Sequence, residues 1–226
     1  MVIRLSVKDQ VYDIIKERIL RGEYVSGSVV NIAQLTAELE VSNTPIREAL
    51  SSLESDGLIV KSGSKYNVIT LSDKLNEDIN EVFTIQMLGA FDLCAESGKL
   101  NELAAALRRA YEEQIRSHAG DDFYDYLRKA IEFDSEFSKV SGNTFLMSTF
   151  DTTAPFLMLA ISTKHRGQIE QNMREHGEIL NAVERRDVQA TRDLIVAHFD
   201  KPLRKLPPII HASSAASASI NMAEAK

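Results

Sequence analysis

The sequence predicts a mainly α-helical protein with an N-terminal helix-turn-helix, a small β-hairpin and a C-terminal antiparallel all-helical bundle. Apolar residues recur at helical spacing up to about residue 55, and two short β-rich runs around a glycine-containing turn follow. From residue 73 onwards nearly every apolar stripe has helical spacing, with short connections that imply antiparallel neighbours. We therefore divide the chain into residues 1–72, residues 73–205 and a Ser/Ala-rich tail, 206–226, which we expect to be disordered.

Composition places the chain among soluble globular proteins. It has 226 residues, of which 44% are hydrophobic and 26% are charged, and this length allows a sizeable core. The single cysteine, Cys94, excludes an intramolecular disulfide and fits a reducing compartment. We find no apolar run of membrane-spanning length and no signal-peptide core, so we expect a cytoplasmic protein without a membrane partner.

Residues 41–50 predict a turn followed by the start of a helix. We expect Thr44 to be the N-cap and Pro45 to occupy the first helical position, where its missing N–H is tolerated. Small polar side chains and one arginine would then be exposed at the helix N-terminus: Ser42, Asn43, Thr44 and Arg47. Such groups suit DNA phosphates and base edges, although an ordinary amphipathic helix would show the same apolar spacing.

The neighbouring segments make this helix part of a winged helix-turn-helix. A shorter helix, about residues 31–40, precedes it, and Gly57 is suited to end it. Two strands, residues 58–60 and 66–70, would then form a hairpin. The tip of this hairpin carries Lys61, Gly63 and Lys65. We expect the tip to be the wing and its lysines to contact DNA phosphates.

The net charge indicates local rather than general attraction to DNA. It is −7 for the whole chain, and residues 1–66 contain eight Lys and Arg against nine Asp and Glu. The N-terminal domain therefore lacks a broad basic surface, so DNA binding would depend on a few cations at the helix and the wing. A dimer on a two-fold symmetric site would double these contacts.

The recognition segment resembles a known family. Residues 42–50, followed by Leu53-Glu54 and Gly57-Leu58-Ile59, resemble the DNA-binding domain of GntR-type bacterial transcription regulators, over about residues 6–70. The resemblance implies a homodimer on a pseudo-palindromic operator in double-stranded DNA. Asn43 stands where most members carry arginine, and Ala33 where some carry another arginine. These departures concern operator sequence and affinity rather than the domain itself.

The C-terminal half contains polar residues inside apolar helical stripes. Asp134 shares a helix face with Ile131, and His176 and His198 occupy comparable positions in the last two helices. A buried carboxylate is costly unless it is paired or binds a metal, and this set suits a first-row divalent ion. Each histidine alone could equally be a hydrogen-bonded core residue. In the same half, Pro155 predicts a kink or break in its helix.

Residues 133–138, Ser141-Gly142-Asn143, Glu175-His176 and His198 resemble the FCD ligand-binding domain of the FadR subfamily, over about residues 73–203. The resemblance implies an effector cavity beside a site for zinc, nickel or manganese, with Asp134, His176 and His198 as ligands. Ser138 replaces the expected fourth ligand, a histidine, so either water completes a weaker site or the cavity works without metal. Gln86 stands where members commonly carry arginine, so an effector carboxylate would be held differently or the effector is not a simple carboxylate.

Together these patterns predict a ligand-responsive transcription regulator and not an enzyme. Its effector would be a small molecule, by family resemblance an organic acid, that changes the spacing of two winged domains. Two alternatives stay open: a metal-dependent enzyme in the helical bundle, and a DNA-binding regulator without effector. No nucleophile signature, phosphate-binding glycine loop or Glu-x-x-His pair supports the enzyme. The sequence leaves the sign of regulation open.

Overall fold

The computed structural model describes residues 5–120, 122–162 and 166–199. The helices and strands in chain order are α1 (Val7–Leu20), β1 (Val29–Val30), α2 (Ile32–Leu39), α3 (Asn43–Ser55), β2 (Ile59–Ser62), β3 (Lys65–Val68), α4 (Asp73–Glu96), α5 (Leu100–His118), α6 (Phe123–Ser141), α7 (Thr144–Ser162), α8 (Arg166–Glu184) and α9 (Val188–His198). This order confirms the predicted fold class. The tail, 206–226, for which we expect disorder, lies outside the described residues.

Three helices and a three-stranded antiparallel sheet form the N-terminal domain. α1 packs against α3, and both helices contribute fully buried aliphatic side chains to one core. The strand order is β1-β3-β2, with Val30 of β1 paired with Tyr66 of β3. Strand β1 is absent from the sequence prediction because two residues are too few to show a periodic pattern. The added strand fixes the hairpin to the helical part of the domain.

The hairpin tip is shorter than predicted. Ser62 pairs with Lys65, so β2 and β3 extend into the polar segment and the turn consists of Gly63 and Ser64 alone. Gly63 has a φ of +61°, which suits the first central position of a type II′ turn. The strands continue past the apolar residues because ladder hydrogen bonds join backbone groups whatever the side chains are.

Six helices, α4–α9, form the described part of the helical domain. Phe83 of α4 meets Phe150 of α7 edge to face, with ring centroids 5.3 Å apart, and Phe91 of α4 meets Phe137 of α6. α6 packs against α4, α5 and α7, while α8 packs against α5 and α9. This packing buries individual polar side chains of α6, α8 and α9 inside one core.

The sequence predicts a kink or a break at Pro155, and the break is wrong because α7 continues through this residue. Phe150 is buried before the proline, and residues 157–160 are buried after it. An uninterrupted helix places Phe150 and the later apolar residues in the same core. Their burial outweighs the roughly 3 kcal/mol that an interior proline costs a helix.

By length and composition alone, α7 is also the one helix of the described residues that could cross a membrane. Its sequence contains no uninterrupted apolar run of membrane-spanning length, because Asp151 and Pro155 lie among the apolar residues. One face of α7 packs against α4 and α6, which makes it a helix of the bundle. Only 28% of its most apolar window is fully buried, and Phe145 near its start is exposed.

Among the described residues, the two domains touch where α1 packs against α7 and through contacts of Arg21 and Gly57. Arg21, after the end of α1, forms an ion pair of 3.2 Å with Asp122 and lies 4.3 Å from the ring centroid of Tyr124 in α6. Gly57, after the end of α3, faces Phe156 of α7, and a Cβ atom at this glycine would lie 3.1 Å from the phenylalanine ring. The segment that directly follows α3 is therefore in contact with the helical domain.

Candidate functional site

The start of α3 is open to solvent, but its N-cap differs from the prediction. Ser42 is the N-cap in place of Thr44, with an extended backbone of φ −68° and ψ 165°, and α3 begins at Asn43. Pro45 is therefore the third helical residue. It is accepted there because the first four N–H groups of a helix have no intrahelical partner. The Ser42 side chain makes no capping hydrogen bond, which leaves these N–H groups available to an external acceptor.

All four side chains predicted to contact DNA from α3 are exposed: Ser42, Asn43, Thr44 and Arg47. Arg47 forms no ion pair with any described residue, so its guanidinium is available to a ligand. Thr36 of α2, which the sequence analysis missed, has its hydroxyl oxygen 3.0 Å from Oδ1 of Asn43 and 2.9 Å from the Ile32 carbonyl, so these two acceptors share one hydrogen. This contact holds the Asn43 side chain beside α2.

The wing is exposed and positively charged. Lys61, Gly63 and Lys65 all face solvent, and the Lys61 ammonium lies 5.4 Å from the ring centroid of Tyr66. Lys65 also lines an open groove that reaches Asn31, the N-cap of α2. Neither lysine forms an ion pair with a described residue. The charges of the wing are therefore free to meet an anionic surface.

In the helical domain, Asp134, His176 and His198 meet from three helices. Oδ1 of Asp134 lies 3.3 Å from Nε2 of His176 and 3.9 Å from Nε2 of His198. The two Nε2 atoms are 3.3 Å apart. The side chains are only 2%, 0% and 4% exposed, respectively. We call these three residues the buried cluster.

Each histidine of the buried cluster uses its other ring nitrogen in a hydrogen bond. Nδ1 of His198 donates to Oε2 of Glu175 at 2.8 Å, and this bond lowers the pKa of Glu175 although burial alone would raise it. Nδ1 of His176 lies 2.8 Å from Oε1 of Gln114. The carboxylate can only accept, so neutral His198 carries its proton on Nδ1 and a lone pair on Nε2.

Burial controls protonation in this cluster. Removal from water raises the pKa of Asp134 to about 7, partly offset by the charge of His198. It lowers the pKa of His176 to about 3, although the charge of Glu175 raises it. Both shifts have the sign expected for ionisable groups withdrawn from water. A bound divalent cation would stabilise the carboxylate and compete with protons for the imidazole nitrogens.

The buried cluster fits a divalent metal ion. Oδ1 of Asp134 has no hydrogen-bond partner among the described residues, although it is buried. Ligands at zinc–ligand distances in a tetrahedron lie about 3.4 Å apart, close to the two separations of 3.3 Å. Imidazole and carboxylate also suit nickel and manganese. Ser138 is buried one turn after Asp134, and its hydroxyl is a weak ligand, so the chain supplies three strong ones.

Gln86 of α4 is another unsatisfied polar group in the helical domain. It is 6% exposed, and neither its amide oxygen nor its amide nitrogen has a hydrogen-bond partner among the described residues. Leaving such a group unpaired costs about 1–3 kcal/mol, so a ligand or water is expected beside it.

Several residues around the buried cluster were missed by the sequence analysis. Phe133 stacks on the His176 ring at a centroid distance of 4.1 Å, and Gly177 allows the Tyr111 hydroxyl to approach the backbone of α8. Glu175 directly precedes His176 and could have been proposed as a partner of a buried imidazole. Gln114 gave no such signal, because it lies 62 positions before His176.

The N-terminal domain presents an exposed polar helix start and a basic wing, and the helical domain contains the buried cluster. This combination is typical of a DNA-binding regulator with a sensory domain. Comparison with known families agrees. Residues 7–64 match the bacterial regulatory proteins of the gntR family, and residues 88–201, half of the chain, match the FCD domain. The chain therefore belongs to the GntR family of transcription regulators and carries an FCD effector-binding domain.

Known proteins resemble this chain at low sequence identity. The uncharacterized HTH-type transcriptional regulator YdhC of Bacillus subtilis (strain 168) is 24% identical over 206 residues, which are 89% of this chain and 91% of that protein. The gluconate operon transcriptional repressor of Bacillus licheniformis is 23% identical over 169 residues, 74% and 68% of the two chains. A crystal structure from Rhodococcus sp. RHA1, described as a GntR transcriptional regulator, gives a TM-score of 0.73 at 15% identity, covering 85% and 93%.

Proposed function

We propose that the protein is a ligand-responsive cytoplasmic repressor that binds a pseudo-palindromic operator as a homodimer. The observation that carries the proposal is Arg47, exposed and without an ion pair among the described residues, beside the open N-terminus of α3. The buried cluster in the same chain supports a sensory role for the helical domain. Repression is proposed because the gluconate operon relative is named a repressor. We assign no catalysis to the chain.

The DNA contacts divide between α3 and the wing. Arg47 would contact guanine edges or phosphates in the major groove, and Asn43 would pair with adenine. Ser42 and Thr44, beside the open N–H groups, suit phosphates. Lys61 and Lys65 would bind the backbone from the wing, and Gly63, which has no side chain, would let the turn approach the duplex closely.

A second copy of the chain would cover the apolar surface of α4 and α7. Val82 and Ile85 of α4 are 39% and 44% exposed, and Gly89, one turn further, has open space where a Cβ would be. On α7, which packs against α4, Phe145 is 83% exposed. A glycine inside a helix costs about 0.5–1 kcal/mol relative to alanine, but it permits another helix to approach closely. Exposed apolar side chains on adjoining helices are typical of an interface.

Light scattering after size-exclusion chromatography tests the homodimer. We expect twice the chain mass of 25.2 kDa for the wild type and a shift to monomer for Ile85→Lys. Ile115→Lys is the matched control, because Ile115 on α5 is also 44% exposed but lies outside the proposed surface. A monomeric wild type at concentrations that bind operator would contradict the proposal.

For sensing, Asp134, His176 and His198 would hold one divalent transition metal, which would offer a Lewis-acid position to an oxygen atom of the effector. We propose a small organic acid as effector, with the unpaired Gln86 amide as a further contact. The effector changes operator affinity only through its different affinities for two arrangements of the winged domains. The contacts of Phe156 with Gly57 and of Arg21 with Asp122 are the physical links between the domains.

One experiment tests DNA binding and sensing together. DNA selected by the protein from a random library would be titrated by fluorescence anisotropy, with EDTA, with added metal and with a panel of small organic acids. In a parallel thermal-shift measurement, we expect EDTA to lower the melting temperature and metal to restore it. An acid that stabilises the metal-loaded protein should weaken operator binding. An operator affinity unchanged by every acid that binds would contradict gating, and turnover of an acid would favour the metal-enzyme alternative.

A further inference from the structure

We infer that Gln114 is a positioning residue that fixes the tautomer of His176, so that the Nε2 atom facing Asp134 and His198 carries no proton. Gln114 is 0% exposed, and its Oε1 lies 2.8 Å from Nδ1 of His176. An amide oxygen carries no hydrogen, so Nδ1 must donate the proton. Nε2 is then left with a bare lone pair, directed at Asp134 and His198. The inference deepens the proposed metal-dependent sensing and rests on it for its biological meaning.

The orientation of the Gln114 amide is set by a second pair of contacts. Its Nε2 donates to the Tyr126 hydroxyl oxygen at 3.1 Å and to Oδ1 of Asn172 at 3.2 Å. The single hydroxyl hydrogen of Tyr126 points to the backbone carbonyl of Ile169 at 3.0 Å or to Oδ1 of Asn172 at 3.2 Å, and either choice leaves the Tyr126 oxygen to accept from Gln114. Both amide hydrogens of Gln114 are thereby used, and only Oε1 remains for His176. We call Gln114, Tyr126 and Asn172 the amide relay.

The amide relay and Glu175 act on the two histidines in the same way. Glu175 accepts from Nδ1 of His198, and Gln114 accepts from Nδ1 of His176. Both Nε2 atoms then face Oδ1 of Asp134 with their lone pairs, and neither Nε2 atom carries a proton. Phe133, stacked at 12° to the His176 ring, keeps the ring in this plane. The ligand atoms are therefore oriented before any ion arrives, which reduces the ordering that binding requires.

The tautomer is the measurable consequence. If the oxygen and nitrogen atoms of the Gln114 and Asn172 amides were exchanged, each donor in the relay would become an acceptor. The Gln114 amide would then donate to Nδ1 of His176, and the His176 proton would lie on Nε2. Long-range ¹H–¹⁵N correlation spectra of metal-free protein labelled with ¹⁵N-histidine distinguish the two states. We expect His176 of the wild type to be protonated on Nδ1. Protonation on Nε2 would overturn the inference.

Substitutions separate positioning from simple packing. Gln114→Leu keeps the volume but removes the acceptor, and we expect a mixed or reversed His176 tautomer with zinc affinity about 10–100-fold weaker, the range for outer-shell partners. Gln114→Glu restores an acceptor and should recover both readouts to within a few-fold. Tyr126→Phe keeps the ring, removes one contact of the relay and should give an intermediate loss.

The control is Gln189→Leu, the same substitution at an exposed site of α9 where the amide bonds only to Asp193. It should change neither tautomer nor zinc affinity, which is measured by competition with a chelator. A Gln114→Leu protein with the wild-type tautomer and wild-type zinc affinity would overturn the inference. A wild type that binds no zinc, nickel or manganese would defeat the proposed sensing instead, while the tautomer of the metal-free protein would still decide the role of Gln114.

Discussion

The start of α3 and the buried cluster use polar side chains in opposite ways. At α3, Arg47 and its neighbours are exposed and form few contacts within the chain, so their hydrogen-bonding capacity is directed outward. In the helical domain, His176 and His198 are enclosed and each is held by a partner on its Nδ1 atom. The first site would suit a large, rigid ligand such as DNA, and the second would suit the single metal ion proposed above.

This difference has an energetic consequence. Removing an exposed contact to DNA deletes only that contact, because water replaces it in the free protein. Removing one member of an enclosed cluster leaves its neighbours unsatisfied, so the effect spreads through the site. The four expectations below test this contrast, beginning with the largest effect.

Asp134→Asn should abolish metal binding at the buried cluster while leaving DNA binding intact. The amide is nearly isosteric but carries no charge, so we expect metal affinity to fall by at least about 100-fold, more than outer-shell substitutions cause. Metal content after dialysis and chelator competition measure this loss. Asp151→Asn, the same change at an exposed position of α7, is the control. An Asp134→Asn protein that retains metal would place the ligands elsewhere.

Arg47→Ala should have the converse effect. We expect operator affinity to fall about 10–100-fold, which corresponds to about 1–3 kcal/mol for a base-contacting arginine. Metal content and melting temperature should stay unchanged, since Arg47 is exposed and forms no ion pair with a described residue. Lys74→Ala removes a cation from α4, outside the winged domain, and should leave the operator affinity measured by anisotropy unchanged. An equal loss for both variants would indicate non-specific charge attraction.

Gly57→Ala tests whether the winged domain and the helical domain are in tight contact at Gly57. Gly57 has a φ of +80°, and an added Cβ would lie 3.1 Å from the Phe156 ring, so both strain and displacement are expected. We expect urea denaturation to show a loss of about 2 kcal/mol in the free energy of unfolding.

Gly63→Ala is the matched control for this substitution. Its φ is +61°, but no atom lies within 4 Å of the added Cβ, so only the strain of about 1 kcal/mol should appear. The difference between the two variants measures the Phe156 contact. Equal losses would show that the domains do not press on each other at Gly57.

Lys65→Ala should have the smallest effect. A single exposed phosphate contact at the wing should weaken operator binding only a few-fold and reduce the slope of log affinity against log salt by about one. Anisotropy titrations at several salt concentrations give the slope. An unchanged slope would remove Lys65 from the DNA interface.

The sequence by itself determined the order of elements and the inward or outward direction of individual side chains. Apolar spacing of three to four residues is a local property, so it placed Ile46, Ala49 and Leu50 in the core and Arg47 outside. The same spacing directed Asp134 and His176 inward. The family motifs then suggested which of these residues act together.

Only the tertiary structure decided the features that depend on distant partners. The pairing of β1 with β3, the Gln114 partner of His176 and the contact of Phe156 with Gly57 join residues far apart in the chain. Pro155 stays inside a helix because core packing on both sides outweighs its local cost. Local patterns report which way a side chain faces, whereas the group it meets is set by how the helices pack, and that packing has no local signature.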